Sequence, residues 1–486
     1  MEEKKLLLDV HEKPSISKWI ILALQHVFAM FGATILVPIL VNSAAGETVL
    51  TIPVALVTSG VGTLIYILCT KGKSPVYLGS SFAFIGPLAA AFLKGGISGA
   101  MTGIVVVGLI YIVFAIIISL VGKKWINKIL PPLVIGPMIM IIGLGLAPSA
   151  ISQIGLDRQI DDVTLEAQVI QEAIANEEIS EGEELAEEVI NERVEEEKIS
   201  YVKGIAVAVI TFLATVLAMV KGKGILKIIP FLIGIVVGYI SSICLGLVDF
   251  TAVMEASFFS MPAFIIPFAH YMPSLSAVLT IAPIALVTIA EHIGDHTALS
   301  SIIGKDLLKE PGLNRTLLGD GIATLVAGLL GGPANTTYGE NTSVVGMTKV
   351  ASVWVIGLAA IFAICLGFLG KFTAIVSSIP NAVLGGVSLL LYGFIAVNGL
   401  KVLIENRIDF GKSKNISVAS TMLVLGLGGA AISIASGDLS ITISGMSLAA
   451  IVGILLNLFI PEEKEDKNEE IENKKEEKKD KEKISI

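Results

Sequence analysis

The stretch WIILALQHVFAMFGATILVPILV (residues 19–41) contains no Asp, Glu, Lys or Arg. A helix needs roughly 20 apolar residues to cross the hydrocarbon core of a bilayer. Similar stretches follow along the chain, which is 54% hydrophobic and only 16% charged. Soluble domains carry about 25% charged residues. We therefore predict an all-α integral membrane protein whose first span is this stretch, since it is too long for the core of a signal peptide.

Apolar segments divide the 486-residue chain into fourteen predicted transmembrane segments. The third and tenth are short and interrupted by Gly, Pro and Thr, so we expect short strand-like breaks in them. The segments lie near residues 17–41, 50–69, 76–92, 99–121, 129–148, 202–220, 225–247, 274–303, 314–330, 337–350, 351–370, 373–396, 416–434 and 438–460.

The distribution of charge predicts the orientation. Lys and Arg cluster before the first segment and after the second, fourth, sixth, eighth and twelfth. The positive-inside rule then places both termini in the cytoplasm and the chain in the cell membrane (plasma or inner) as a multi-pass protein. Residues 1–16 form the cytoplasmic N-terminus, and the charged tail 461–486 is expected to be disordered.

An acidic insert, residues 149–200, lies between the fifth and sixth segments. Residues 157–198 hold 16 acidic and 3 basic side chains. With this orientation the insert is extracytoplasmic. We expect a solvated, partly helical loop; the alternative is a docking surface for cations or a partner.

The two halves of the chain resemble each other. LPPLVIGPMIMIIG (130–143) aligns without gaps to IPNAVLGGVSLLLY (379–392), and GSSFA (79–83) matches NTTYG (335–339) in residue type. Seven segments per half is an odd number, so the two copies must have opposite orientations. Inverted repeats of this kind are typical of secondary transporters.

One group of ionisable residues lies in the eighth segment, in EHIGDH (291–296). On a helix, Glu291 and Asp295 share a face with Thr288, and His292 and His296 lie on the next. Ionisable groups at bilayer depth are costly and therefore indicate function; the alternative is that the helix ends at the surface here. The metalloprotease pattern requires Glu directly after the first His, so we predict no metal site.

A second polar group, NTTYGENTS (335–343), follows Gly331-Gly332-Pro333. A broken span exposes backbone N–H groups, and the matching segment near Ser80 should do the same. We expect the two broken elements to meet near the midplane of the membrane. Two carboxylates beside two backbone amides suit a flat, neutral ligand rich in amide groups, and one Glu could also carry a proton. His26 is either a packing residue or part of a proton relay.

Several motifs agree in order and spacing with a known family. The chain resembles the uracil permease branch of the nucleobase:cation symporter family, also called nucleobase–ascorbate transporters, over residues 15–460 without the insert. The resemblance is carried by QHVFAMFGATILVP (25–38), YLGSSFAFIGP (77–87), AEHIGDH (290–296), KDLLKEPGLNRT (305–316), NTTYGEN (335–341) and GGVSLLLYG (385–393).

The resemblance implies proton-coupled uracil import by a homodimer embedded in lipid, without a cofactor and without nucleic acid as a partner. It also implies a core domain of segments 1–4 and 8–11 that moves against a gate domain of segments 5–7 and 12–14. Residues 17–148 then hold segments 1–5, residues 201–250 segments 6–7 of the gate, residues 274–370 the second part of the core, and residues 371–460 the last gate segments.

The family motifs also imply roles for individual residues. Substrate binding falls to Glu291, Glu340, Tyr338, Ala33 and the backbone amides of Phe82 and Gly339. Proton coupling falls to Glu291, Asp295, His296 and Glu340, and the gate-side pocket residues are Ser388 and Tyr392.

Two departures affect these roles. Some relatives have His at the position of Asp295, so the proton path is open to Asp295 or His296. Ser343 stands where the family usually has Gly.

Three alternatives remain at this stage. They are a xanthine or other purine permease of the same family, a channel or anion exchanger on the same architecture, and an intramembrane enzyme. No nucleophile–base pair is visible, so we expect no catalytic residues and no enzyme activity. Cys69, Cys244 and Cys365 all lie in apolar runs and are expected to be buried free thiols.

Overall fold

The computed structural model describes residues 6–157, 162–175, 187–274, 278–436 and 439–461. The described chain is mostly helical, as predicted. Part of the acidic insert lies outside the described residues, and so does all but the first residue of the predicted disordered tail (461–486).

The first part of the chain contains the interrupted third segment predicted from sequence. The end of predicted segment 3 and the whole of segment 4 lie in one long helix, α3, which is kinked at Gly96. The φ of Gly96 is 58°, in the left-handed region that glycine adopts readily. The elements are α1 (Ile16–Ala45), α2 (Ile52–Cys69), β1 (Leu78–Ser80), a 3-10 turn (Phe82–Phe84), α3 (Ile85–Val121), α4 (Lys124–Ile129), α5 (Pro132–Gly145) and α6 (Ala147–Ile154).

The described part of the acidic insert is helical, as predicted. Leu165, Val169 and Val194 form a small buried apolar cluster between the two helices of this region. The second helix continues from the insert into predicted segment 6 without a break. The elements are α7 (Asp162–Ala175), α8 (Glu187–Lys221), α9 (Ile225–Ile228), α10 (Pro230–Cys244) and α11 (Thr251–Glu255).

The second part of the chain contains the interrupted tenth segment. Its elements are α12 (Val278–Ile281), α13 (Ile284–Ile303), a π-helical turn (Leu308–Gly312), α14 (Leu313–Leu329), β2 (Asn335–Thr337), α15 (Gly339–Thr348), α16 (Val353–Gly367), α17 (Gly370–Ser377), α18 (Asn381–Glu405), α19 (Ser413–Leu427), β3 (Ala431–Ser436), β4 (Leu439–Ser444) and α20 (Gly445–Phe459).

The β3–β4 pair corrects one prediction. Segments 13 and 14 were expected to be helical through residue 434 and from residue 438, but the chain forms an antiparallel pair in which Ala431 lies opposite Ser444. The sequence AISIAS (431–436) alternates Ile with small residues, and LSITIS (439–444) alternates likewise. A period of two favours strands over a helix, and this signal was masked by the high overall hydrophobicity.

Six helices of the described chain are long and apolar enough to cross a membrane. They are Ile16–Ala45, Ile52–Cys69, Phe82–Val121, Pro132–Ile154, Val189–Lys221 and Asn381–Glu405. Large apolar side chains such as Val113, Leu120 and Leu217 are exposed on their outer surfaces, as expected where the surrounding medium is lipid. Cys244 and Cys365 are also exposed and Cys69 is half-buried, so the prediction of three buried free thiols was wrong.

The helices pack in two sets. In one set, α14 lies against α2 and α3, and α16 lies against α1 and α2; in the other, α18 lies against α5, α6 and α8, and α10 lies against α8. Glycines permit close approach within each set: a methyl group on Gly108 of α3 would lie 2.8 Å from the carbonyl oxygen of Gly321 on α14. Helix α13 contacts α3 and α5, and so touches both sets.

Candidate functional site

The site forms around two short strands that pair in the middle of the protein. Strand β1 pairs antiparallel with β2, and Leu78 lies opposite Thr337 while Ser80 lies opposite Asn335. The backbone N–H of Ser81 donates to the carbonyl oxygen of Ala334 at 2.9 Å and extends the pair by one bond. The two interrupted segments therefore meet, as the sequence predicted.

Each strand leads directly into a helical N-terminus. Phe82 begins the 3-10 turn before α3, and Gly339 is the first residue of α15. The N–H groups at the start of a helix have no acceptor within that helix, and the helix dipole makes this end partly positive. The fold thus presents unpaired backbone donors from both halves of the chain at one place.

The side chain of Tyr338, which follows β2, contacts β1 and α1. Its hydroxyl donates to the carbonyl oxygen of Ser80 at 3.1 Å and is hydrogen-bonded to Oγ1 of Thr34 on α1 at 3.0 Å. The ring covers Gly79 so closely that a methyl group there would overlap it. Ala33, the neighbour of Thr34, is buried on α1 and does not line the cavity described next.

A cavity of about 330 Å³ opens onto the strand pair. Phe82, Tyr338, Gly339 and the side chains of Glu291 and Glu340 contribute to its wall. The two glutamates, far apart in sequence, are thus brought to one space. Oε2 of Glu291 is buried and has no hydrogen-bond partner among the described residues. An unpaired buried carboxylate oxygen costs free energy, so the site is suited to a ligand N–H or a proton.

Asp295 lines the same cavity and is held by β2. Oγ1 of Thr337 donates to Oδ2 of Asp295 at 2.5 Å. A methyl group on Gly339 would lie 3.7 Å from Oδ1 of Asp295, so the second carboxylate oxygen faces the N-terminus of α15. Asp295 and Glu340 therefore lie at the start of this helix, which is partly positive, and Glu291 lines the same cavity.

His296 does not reach the cavity. Its Nε2 lies 2.5 Å from the hydroxyl of Tyr66 on α2, and its Nδ1 donates to the carbonyl oxygen of His292 at 2.7 Å. With Nδ1 as the donor, Nε2 of a neutral ring carries no hydrogen, and the hydroxyl of Tyr66 beside it donates to Oγ of Ser74 at 2.9 Å. Of the sequence-predicted residues, Glu291, Asp295 and Glu340 line one cavity, whereas the side chain of His296 points from α13 toward Tyr66 on α2.

Asp320 on α14 is a buried acid that the sequence analysis did not single out. Its Oδ2 lies 2.9 Å from Nδ1 of His292, and both side chains are fully buried. The signal was available, since Asp320 is the only charged residue in LLGDGIATLVAGLL (317–330). Neither Asp320 nor His292 lines the cavity.

His26 is engaged in packing. The amide Nδ2 of Asn341 on α15 lies 3.1 Å from Nδ1 of His26 and 3.1 Å from its carbonyl oxygen. The histidine is buried and links α1 to α15. This arrangement favours the packing role over the proton-relay role considered from the sequence.

Ser388 and Tyr392 lie one turn apart on α18 and do not line the cavity. The ring of Tyr392 meets that of Phe82 edge-on, with ring centroids 5.9 Å apart. Both hydroxyls are buried without a hydrogen-bond partner in the described part of the chain. Phe82, which lines the cavity, therefore connects it to Tyr392.

The far end of the cavity lies near lysine-rich connections. Its wall there includes Asn127, Leu308, Lys401 and Asn406.

The part of the chain that the structure describes contains no group of three or more His, Cys, Asp or Glu side chains that could hold a metal ion.

Solved membrane transporters share this fold. The transmembrane domain of the cyanobacterial bicarbonate transporter BicA matches with a TM-score of 0.53 at 16% identity, covering 89% of this chain and 96% of that one. The murine solute carrier 26 family member A9 anion transporter, in the inward-facing state, matches with a TM-score of 0.61 at 13% identity, covering 92% and 69%. At such identities the likeness concerns the fold alone.

Curated relatives are far more similar in sequence. Uracil permease of Bacillus caldolyticus is 45% identical over 94% of this chain and 95% of its own length. Uracil permease of Bacillus subtilis is 44% identical over 96% and 98%, and that of Escherichia coli K12 is 39% identical over 93% of each. The sequence profile of the Permease family matches residues 17–172 and 183–434. The chain therefore belongs to the Permease family of membrane transporters.

Proposed function

We propose that this protein imports uracil across the cell membrane by proton symport. The main support for this substrate is that Glu291 and Glu340 line one cavity, beside the backbone N–H groups that begin α15 and the turn at Phe82. Uracil has two ring N–H groups and two carbonyl oxygens in one plane, which matches two carboxylate acceptors and two backbone donors. The names of the 39–45% identical relatives support the same ligand.

The proton is assigned to the carboxylates of the cavity. Glu291, Glu340 and Asp295 lie on its wall, and acids inside a membrane mark proton pathways in transporters. Asp295 takes precedence over His296, because Asp295 faces the cavity and His296 points toward Tyr66 on α2. The same carboxylates would repel an anion, which argues against anion exchange by this protein, although anion transporters share its fold.

The two helix sets provide the moving parts. We assign α1–α3 and α13–α16 to the core domain and α5, α6, α8, α10 and α18–α20 to the gate domain, following the way they pack. In this proposal the chain has fourteen segments in two inverted repeats, and the core carries the strand pair and its ligand past the gate. The sliding of one set against the other would expose the site alternately to each side.

Orientation and assembly complete the proposal. Lys401 and the connection at Leu308 line the end of the cavity away from the strand pair. The positive-inside rule places lysine-rich connections such as these in the cytoplasm, so we assign the structure to an inward-open state. Both termini are then cytoplasmic. We assign the protein to a homodimer in the lipid bilayer, as the family resemblance implies.

Uptake into proteoliposomes tests the function. Radiolabelled uracil is added outside, with and without an inward proton gradient, and excess unlabelled xanthine is added as a competitor. We expect gradient-driven accumulation that xanthine leaves unchanged. Uptake that does not depend on the gradient would refute proton symport. Competition by xanthine would indicate a purine rather than uracil as the substrate.

A further inference from the structure

One polar side chain on α18 faces the candidate site and has no assigned role. Asn398 lies on the cavity wall. A methyl group on Gly339 would lie 3.7 Å from Nδ2 of Asn398 and 3.7 Å from Oδ1 of Asp295. The amide of Asn398 and the carboxylate of Asp295 therefore flank the same space above the N-terminus of α15, one from each helix set.

Asn398 is available for a ligand, unlike the other polar residues that α18 brings to this cavity. Lys401 and Glu405 lie 3.6 Å apart as an ion pair, with side chains 61% and 48% exposed. Nδ2 of Asn406, just past the end of the helix, donates to the carbonyl oxygen of Val402 at 2.8 Å. The side chain of Asn398 has no hydrogen bond to any described residue, although it is only partly exposed.

The balance of donors and acceptors identifies what this amide can bind. The core side of the site offers three carboxylates, Glu291, Asp295 and Glu340, all of which accept hydrogen bonds when ionised. Each carbonyl oxygen of a planar ligand can accept two hydrogen bonds. It can therefore take a second donor besides a backbone N–H group, and the opposite wall offers one in Nδ2 of Asn398. A neutral amide can donate to a carbonyl oxygen. Unlike an amine or an imidazole, it has no basic nitrogen that would compete with the carboxylates for a proton.

We infer that Asn398 is a substrate-positioning residue, whose amide donates a hydrogen bond to a carbonyl oxygen of the bound pyrimidine. This inference rests on the proposed function. Because α18 packs against α5, α6 and α8 rather than against the strand pair, the contact joins the ligand to the second helix set. An occupied site would then be held from both sides, which ties the relative position of the two sets to the presence of substrate.

Sulfur analogues of the ligand test this contact directly. Labelled uracil uptake into proteoliposomes is competed with unlabelled uracil, 2-thiouracil and 4-thiouracil, and half-inhibitory concentrations are compared as ratios. Sulfur is a weak acceptor, so the wild-type protein should prefer uracil over at least one thio analogue by about threefold to tenfold, the worth of one neutral hydrogen bond. In Asn398→Leu the preference over that analogue should fall by about threefold to tenfold, while uracil itself binds more weakly by a similar factor.

Matched variants separate this role from a merely structural one. Asn457→Leu makes the same change on α20, where Nδ2 donates to the carbonyl oxygen of Lys128 at 3.1 Å outside the cavity, and should keep the wild-type ratios. If Asn398→Leu does not reach the membrane, Asn398→Ser keeps a donor hydroxyl and should give intermediate ratios.

Three results would overturn the inference. Unchanged ratios for both analogues in Asn398→Leu would refute the contact between Asn398 and the ligand, without affecting the proposal that the protein transports uracil. Equal affinity of the wild-type protein for uracil and both thio analogues would also remove it. Absence of uracil uptake by the wild-type protein would overturn the proposed function itself, and this inference with it.

Discussion

Thr337 and Asp295 are joined by a hydrogen bond of 2.5 Å that links strand β2 to helix α13. The bond fixes one oxygen of Asp295 and leaves the other facing the start of α15. Since Thr337 also pairs with Leu78 across the two halves of the chain, one residue positions both the strand pair and an acid of the cavity.

Loss of the Thr337 hydroxyl should therefore impair transport. Hydrogen bonds to charged groups contribute about 1.5–3 kcal/mol, so Thr337→Val is expected to reduce the initial rate of uracil uptake by about tenfold to a hundredfold. Thr337→Ser retains the hydroxyl and should stay within about threefold of wild type. Equal rates in the Val and Ser variants would show that the bond to Asp295 has no part in transport.

The two cavity glutamates should not tolerate neutralisation. Glu340→Gln and Glu291→Gln keep the size of the side chain but replace a charged acceptor, so each should abolish gradient-driven uracil uptake. Glu310→Gln is the matched control, because Glu310 is 73% exposed and pairs with Lys73 at the surface. Purified variants with wild-type elution profiles should be compared; full uptake by Glu340→Gln would refute the assignment of this residue.

The packing of Tyr338 against Gly79 predicts a stability effect. Gly79→Ala places a methyl group inside the space of the Tyr338 ring, and overpacking of this kind typically costs about 1–3 kcal/mol. The variant should melt at a lower temperature in detergent than the wild-type protein. Gly86→Ala provides the comparison, since no atom lies within 4 Å of the added methyl group, and a similar loss in both would point to the backbone rather than to the ring.

The sequence predicted that the broken segments meet because their composition and internal similarity are local signals. Gly79 to Ala83 and Asn335 to Gly339 match in residue type, and inverted repeats place such segments face to face. Glu291 and Glu340 were identified for the same reason, as charges within apolar runs.

Other features depend on packing that composition does not encode. Asn398 lies in a helix of ordinary apolar character, and only the approach of α18 to Gly339 shows that its amide faces the site. His296 lay close to the acids in sequence, yet its direction from α13 places it against Tyr66. The periodicity of residues 431–444 was local and could have been recognised, whereas these side-chain directions could not.

A segment before the first span makes contacts that the sequence did not suggest. Backbone N–H groups of Ala351 and Val353 donate to the carbonyl oxygens of Leu8 and Val10, each at 2.9 Å. Nζ of Lys305 lies 2.6 Å from Oδ1 of Asp9. The N-terminal segment thus joins the end of α13 to the connection between α15 and α16.

The ion pair of this segment predicts a small, pH-dependent contribution to stability. The hydrogen bond from Lys305 holds the pKa of Asp9 below its ordinary value of 3.8. A lowered folded-state pKa means that the contribution is complete above the ordinary value and is lost as the pH falls through the folded-state pKa. Both side chains are 47% exposed, so screening limits the effect to about 0.2–1 kcal/mol.

Thermal unfolding in detergent checks this expectation. Asp9→Asn should lower the melting temperature slightly at pH 7, and the difference from wild type should shrink as the pH approaches 3 and when salt is raised. Glu47→Gln, which changes an exposed carboxylate in the α1–α2 connection, should show no such pattern. A deficit in Asp9→Asn that persists at low pH and high salt would assign the stabilisation to the backbone hydrogen bonds of the segment, because these carry no charge and are little affected by either condition.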